Sequence, residues 1–146
     1  MIDALVEALQ DEGGTLAELV ACPPQGHLNL AGPPQLAASG PRVAGHADDY
    51  ELLLEMIFEG SLLHYGTARV VHTSDPDLAL LLGDQLYALG LARLAALGDL
   101  EAVDALAAVI SRLAQAHAEG DAEGAEEIWR AGAQAIGWGK PGPSGS

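Results

Sequence analysis

Residues 76–98, PDLALLLGDQLYALGLARLAALG, decide how the rest of this sequence is read. Between Asp77 and Gly98 only Asp84, Gln85 and Arg93 are strongly polar, and leucine or alanine fills most positions on every side of a helical wheel. That is the pattern of a helix buried almost all round. Ser74, Asp75 and Pro76 supply a helix start and Gly98 a stop, which delimits about twenty residues, on the order of 30 Å of helix. This is also the length of a membrane span. Two charges and an amide inside it are costly in hydrocarbon, and no basic flank fixes an orientation, so the expectation is the central helix of a soluble bundle with no transmembrane segment.

The chain of 146 residues is long enough for one domain and short for covering a helix on every face. Apolar residues make up 49 % and aromatic residues 4 %, a leucine and alanine composition that points to an all-α protein, since β-rich domains draw on aromatic and β-branched side chains. Six basic residues against 21 acidic ones give a net charge of -15, which repels phosphate backbones and argues against a nucleic-acid partner. Cys22 is a single cysteine and forms no internal disulfide. Met1-Ile2-Asp3 opens no basic-then-apolar leader, so the expected compartment is the cytoplasm.

Outward from the central stretch, Ile2, Leu5, Val6 and Leu9 recur at helical spacing up to Gly13-Gly14. Thr15 and Glu18 form a capping-box pair that opens a short helical piece. Prolines and glycines crowd residues 22–47, which read as a long loop with one turn of helix at Gln35 to Ala38. Asp48 or its neighbour caps the next helix, where Leu52, Leu53, Met56, Ile57, Gly60 and Leu63 make an apolar stripe and Glu51, Glu55 and Glu59 an opposite, solvated face. The pattern frays from Gly66 to Thr73. Beyond the central helix, Asp99 caps a helix with the stripe Val103, Leu106, Ala107, Ile110, Leu113, Ala114 and His117. Asp121 caps a last helix, which Gly137, Gly139 and Pro141 end. One helical domain over residues 1–139 and a flexible tail over 140–146 follow.

Few residues look like chemistry. His46, Asp48 and Asp49, with His64 and His72 further on, would be the ligands of a small metal-dependent enzyme, yet His-x-Asp-Asp at a helix start is equally an N-cap with dipole-favoured carboxylates. Cys22 precedes two prolines and no activating group. The glycine runs spell no phosphate-cradling loop. Trp129 and Trp138 read as packing anchors.

Three motifs carry a resemblance. Ser61-Leu62-Leu63-His64 is followed by Tyr65, Gly66 and Arg69; farther on stand Leu81-Leu82-Gly83-Asp84-Gln85-Leu86 and Leu97-Gly98-Asp99. Taken together, Leu52 to Arg112 resembles part of the trans-isoprenyl diphosphate synthases, the polyprenyl synthetase family. In that family a pattern like S-L-L-H-D-D-x-x-D presents magnesium-binding aspartates, and a later helix begins with a pattern like L-A-G-D-x-L. Here Tyr65, Gly66 and Arg69 occupy the aspartate positions. Gly40-Pro41-Arg42 resembles, more distantly, the family's diphosphate-gripping Gly-Lys-Arg segment. The second aspartate-rich motif is not reached.

The resemblance implies a truncated isoprenoid-synthase-like bundle of about five helices. It further implies no catalysis by this chain alone, in keeping with the magnesium and basic groups that leaving diphosphates require. The implied role is the noncatalytic regulatory small subunit of a heterodimeric hexaprenyl or heptaprenyl diphosphate synthase in isoprenoid biosynthesis. Such a subunit binds no cofactor itself; Mg2+ sits on the catalytic prenyltransferase partner, whose activity and chain length it controls. In the family the helix after the Gly-Asp signature and the next one form the dimer interface, which here implies a partner face of Leu82, Gln85, Leu86, Leu89, Arg93, Ile110 and Leu113. A leucine left in water there forgoes on the order of 1.5–3 kcal/mol, so association is expected. The competing reading is a homodimeric helical adaptor that uses the same face.

Overall fold

The structure is a computed structural model and describes residues 2–21 and 32–139. Cys22, the first part of the expected loop and the 140–146 tail lie outside the described residues. In chain order the elements are α1 (Ile2–Glu12), α2 (Gly14–Leu19), α3 (Pro33–Ala38), a 3-10 turn (Pro41–Val43), α4 (Ala47–Tyr65), α5 (Pro76–Ala96), α6 (Leu100–Ala118) and α7 (Ala122–Trp138). The protein is all-α. Among the described residues the one β feature is an isolated bridge between Val20 and Val71.

Local chemistry sets most boundaries. The Asp75 carboxylate accepts from the Asp77 and Leu78 amides with Pro76 at the first helical position, Asp99 accepts from Ala102, and Asp121 accepts from Gly124. Gly98 and Gly120 end α5 and α6 with φ of +78° and +72°, a backbone shape that side-chain-bearing residues avoid. Two capping expectations are corrected. Thr15 caps nothing, because the helix starts one residue earlier, after Gly13; α4 begins after His46, which places Asp48 and Asp49 inside its first turn. Residues 32–46 of the expected loop are α3 and the 3-10 turn, and Gly40 packs so close to Gly137 of α7 that a Cβ on it would stand 2.2 Å from the Gly137 carbonyl oxygen.

Two apolar clusters make the core. One joins α3, α6 and α7 around Leu53, Leu54 and Ile57 of α4; the other joins α1 and α2 to Met56 of α4 and to Leu82 and Leu86 of α5. Both α4 and α5 serve the two clusters, and α4 is the more deeply buried of the pair: its buried positions run through Leu53, Leu54, Glu55, Met56 and Ile57 without a gap. The expectation for residues 76–98 is corrected accordingly. α5 buries Leu82, Gly83, Leu86, Tyr87, Gly90 and Leu94 against α4 and α1, and its outer side leaves Leu80 46 % and Leu81 64 % exposed. Among the described residues no other helix covers that side. By length and composition α5 could also cross a membrane, with 33 % of its most apolar window buried in this fold.

The α4–α5 contact is close because glycines line it. A Cβ on Gly60 would lie 2.9 Å from the Gly83 carbonyl oxygen, and one on Gly90 would lie 2.5 Å from Ile57 Cγ1 and 2.8 Å from the Leu53 carbonyl oxygen. On α6 the buried face is Ala102, Ala105, Leu106, Val109, Leu113 and Ala116. The expected stripe is turned by part of a step: Leu106 and Leu113 are shared, Val103 and Ile110 are half-buried, and Ala107 and Ala114 are exposed.

Candidate functional site

The residues that replace the aspartates of the resembled motif stand at the end of α4, and each is engaged differently. Tyr65 is 37 % exposed and stacks on His117 of α6, ring centroids 4.1 Å apart and 5° from parallel. Gly66 ends α4 and donates its N–H to the Leu62 carbonyl at 2.9 Å. Arg69 turns back into the protein. Its Nε donates to Glu59 Oε1 and its Nη1 to Glu55 Oε2, both at 3.0 Å, and its guanidinium lies 4.9 Å from the Phe58 ring centroid.

Glu55 and Glu59 are 1 % and 0 % exposed, which corrects their assignment to a solvated face. A buried carboxylate needs partners for its oxygens, and these have them. Glu59 Oε2 accepts the backbone N–H groups of Arg69, Val70 and Val71 at 2.9, 2.7 and 3.0 Å. Glu55 Oε1 accepts from Gln35 of α3 at 3.2 Å, and the same amide donates to Glu51 at 3.1 Å. On its other side the connection pairs with the end of α2: Ala21 donates to the Val70 carbonyl and His72 to the Leu19 carbonyl. The segment expected to fray is thus held from both flanks. With its lone pairs taken by three amides and a guanidinium, Glu59 organises this segment and has no capacity left for substrate or cation. Sequence reasoning missed the pair; the available signal was a lone arginine, ten residues past the second glutamate, leading into Val70-Val71.

The two resembled motifs meet across α4 and α5. His64 Nε2 lies 3.1 Å from both the Leu80 carbonyl oxygen and Asp84 Oδ1. A Cβ on Gly83 would stand 2.2 Å from His64 Cδ2, so the glycine makes room for the imidazole. Beside them the Tyr87 hydroxyl is buried without a partner among the described residues and is pushed well above the usual phenol range by burial, then by Tyr65 and Asp84. Below the end of α4, Leu62, Leu63 and Ala79 share a cleft of about 460 Å³ with Thr67, His72, Thr73 and Ser74, a lining without any carboxylate.

Arg42 is a structural tether. It donates to the Ile136 carbonyl at 2.7 Å and Asp99 at 3.0 Å and pairs with Glu101 at 3.0 Å, tying the 3-10 turn to the end of α7 and the start of α6. Tyr50 donates to the other Asp99 oxygen at 2.7 Å. Burial pushes the Asp99 carboxyl up, but hydrogen bonds from Tyr50, Ala102 and Arg42 outweigh it and hold the group below its ordinary range. Tyr50 is pushed up to about 12 by burial first and by Asp99 second.

The expected metal ligands do not converge. His46 and Asp49 pair at 3.6 Å on the surface at the start of α4, His64 stands at its far end about 27 Å away along the axis, and among the described residues no three His, Cys, Asp or Glu side chains gather at a point. The anticipated partner face is turned inward as well: Leu82, Leu86 and Leu113 are 1 %, 0 % and 1 % exposed within this chain, Leu89 and Ile110 are half-buried, and only Gln85 and Arg93 are open. The open apolar positions are their neighbours Leu80 and Leu81 on α5, with Leu97 and Leu100 in the turn to α6. Of the two tryptophans, Trp129 is packed in the core and Trp138 is 44 % exposed. Compared with known protein families, curated proteins and solved structures, the chain has no match.

Proposed function

We propose that this chain is a noncatalytic, cytoplasmic subunit that pairs with a catalytic trans-polyprenyl diphosphate synthase and controls its activity and product length. The observation that carries the reading is the meeting of the two resembled motifs, His64 of one on Gly83 and Asp84 of the other, at the place where the aspartates are replaced by Tyr65, Gly66 and Arg69. The magnesium and diphosphate chemistry then belongs to the partner, and this chain binds no magnesium of its own. The uncovered apolar side of α5 and the turn after it supplies the pairing surface, with Leu81 at 64 % and Leu100 at 73 % exposure. That same surface favours the second reading, a homodimeric helical adaptor, if the partner is another copy of this chain.

Purification of the tagged chain from its own source lysate, with mass spectrometry of stoichiometric companions, tests the proposal. The expected companion is a longer chain with two intact aspartate-rich motifs, and the reconstituted pair should make a prenyl product whose length shifts when this chain is left out. Leu81→Lys with Leu100→Lys should abolish co-elution while the variant stays folded, because a lysine at the contact would be buried unpaired. A double variant that still co-elutes removes the surface assignment. Recovery of a homodimer alone, with no effect on a synthase, removes the subunit reading in favour of the adaptor.

A further inference from the structure

A second cavity, of about 470 Å³, lies between α3, the second half of α4, the end of α6 and the first turns of α7; Ser61 and Leu62 of the first resembled motif reach it, and neither buried carboxylate lines it. Its apolar walls are Leu36, Phe58, Leu62, Ala125 and Trp129, and His117 of α6, its ring stacked on Tyr65, lines it as well. The sequence holds two Trp, three Tyr and one Phe in all, and two of those rings stand here, Trp129 edge-on to Phe58 at 5.3 Å and 84°. Each ring fixes the other, so the wall is preformed. Water in such a space finds few partners, and the volume is that of small-molecule sites.

The polar atoms at the cavity define what it can take. Trp129 is 6 % exposed, and among the described residues no acceptor bonds its indole N–H; nor is that nitrogen one of the two sealed, partnerless side-chain atoms, Arg69 Nη2 and Tyr87 Oη. It is a donor kept open on a nearly buried residue. Ser61 is 5 % exposed and donates its hydroxyl proton to the Phe58 carbonyl at 2.7 Å, so it offers acceptor lone pairs only. At the rim Arg130 is held by Glu127 of its own helix, and Glu126 stands beside it uncompensated. In a chain of net charge -15 this rim repels anions.

We infer that the cavity binds a compact, neutral, largely apolar molecule with one hydrogen-bond acceptor, a carbonyl or ether oxygen, that takes the Trp129 N–H. The apolar body lies on Phe58 and Trp129, and recognition owes nothing to the α5 surface or to prenyl transfer. The probe is prodan, a neutral naphthalene that bears a carbonyl, titrated into the full chain carrying Trp138→Phe so that Trp129 is the sole tryptophan. Saturable one-to-one binding is expected, with blue-shifted probe emission and quenching of Trp129. Ala122→Phe plugs the mouth from the exposed first position of α7 without adding a tryptophan, and should weaken binding roughly tenfold or more. Ala125→Leu should do the same from inside. Leu81→Ser with Leu100→Ser should leave the titration unchanged. Unsaturable binding, wild-type affinity in a folded Ala122→Phe, or loss of binding in the α5 variant would overturn the site. A charged relative of the same ring system binding about tenfold more tightly than prodan would overturn the ligand class.

Discussion

α4 and α5 lie side by side and exchange the roles that their compositions suggest. α4 carries Glu51, Glu55 and Glu59 on one side, yet it is the helix around which both core clusters form. α5 is leucine and alanine on every side, yet Leu80 and Leu81 meet solvent. Burial is therefore decided by which residues find partners. A carboxylate with three amides and a guanidinium can be interior, whereas a leucine with nothing opposite it is surface. α4 thus carries the buried polar contacts of the fold, while the outer side of α5 makes few contacts among the described residues.

The contrast breaks first at Glu59. Glu59→Ala leaves the buried amides of Val70 and Val71 without an acceptor and Arg69 without one of its two carboxylate partners. The expected loss is about 3–5 kcal/mol in urea unfolding. Leu81→Ala on the neighbouring helix should stay within about 0.5 kcal/mol of wild type. Equal losses at the two positions would mean that α4 is not the organising helix. The same geometry predicts that aspartates introduced together at 65, 66 and 69 unfold the protein before they bind anything, since Arg69→Asp adds a third carboxylate to Glu55 and Glu59.

Helix number, order and most caps were legible because they depend on neighbours in sequence: Asp75 before Pro76, Asp99, Asp121, and glycines where φ turns positive. Which face of a helix is buried was less legible, since it depends on what packs there. Periodicity placed Glu55 and Glu59 outside because their partner, Arg69, lies beyond the end of the helix in a stretch with no pattern of its own. It could not orient α5, whose apolar residues surround the axis, and so Leu82 and Leu86 were expected on an outer face, whereas both are buried and Leu81 is the exposed one. Among the site residues, Tyr65, Gly66 and Arg69 at the aspartate positions of the resembled motif were visible in the sequence, but the engagement of His64 with Asp84 across two helices was not.

A smaller effect tests how α5 keeps its inner side so close to α4. Gly90→Ala puts a methyl group 2.8 Å from the Leu53 carbonyl oxygen, a backbone atom that cannot step aside, and 2.5 Å from Ile57 Cγ1. Overpacking of this kind costs about 1–3 kcal/mol, offset in part by the better helix propensity of alanine, about 1 kcal/mol. Thermal unfolding should show a clear net loss. A gain would mean that the two helices are free to separate and that α5 is not fixed by glycine contact.

The smallest effect separates the Asp99 cluster at the start of α4 and α6 from the exposed leucines of α5. Asp99 joins Tyr50 of α4 to Arg42 and to the start of α6, and its pKa in the folded state is lower than the ordinary value of 3.8. A depressed carboxyl stabilises the fold at every pH above its unfolded value, and that contribution disappears as pH falls through the folded one. Tyr50 behaves oppositely: raised from 10.0 to about 12, it stabilises the fold below pH 10 and loses the contribution as pH climbs through about 12. Thermal unfolding followed against pH should therefore be flat through neutrality with a shoulder at each end. Asp99→Asn should flatten the acid shoulder and reduce the alkaline one, since Asp99 is the second cause of the Tyr50 shift after burial. Tyr50→Phe should remove the alkaline shoulder and weaken the acid one, because Asp99 then loses one of the hydrogen bonds that hold it down. Leu81→Ala should leave both shoulders as in the wild type, for the hydrogen bonds of Tyr50 and Asp99 run to each other, Arg42 and Ala102 and none to α5. An acid shoulder that survives Asp99→Asn unchanged would remove Asp99 as its source.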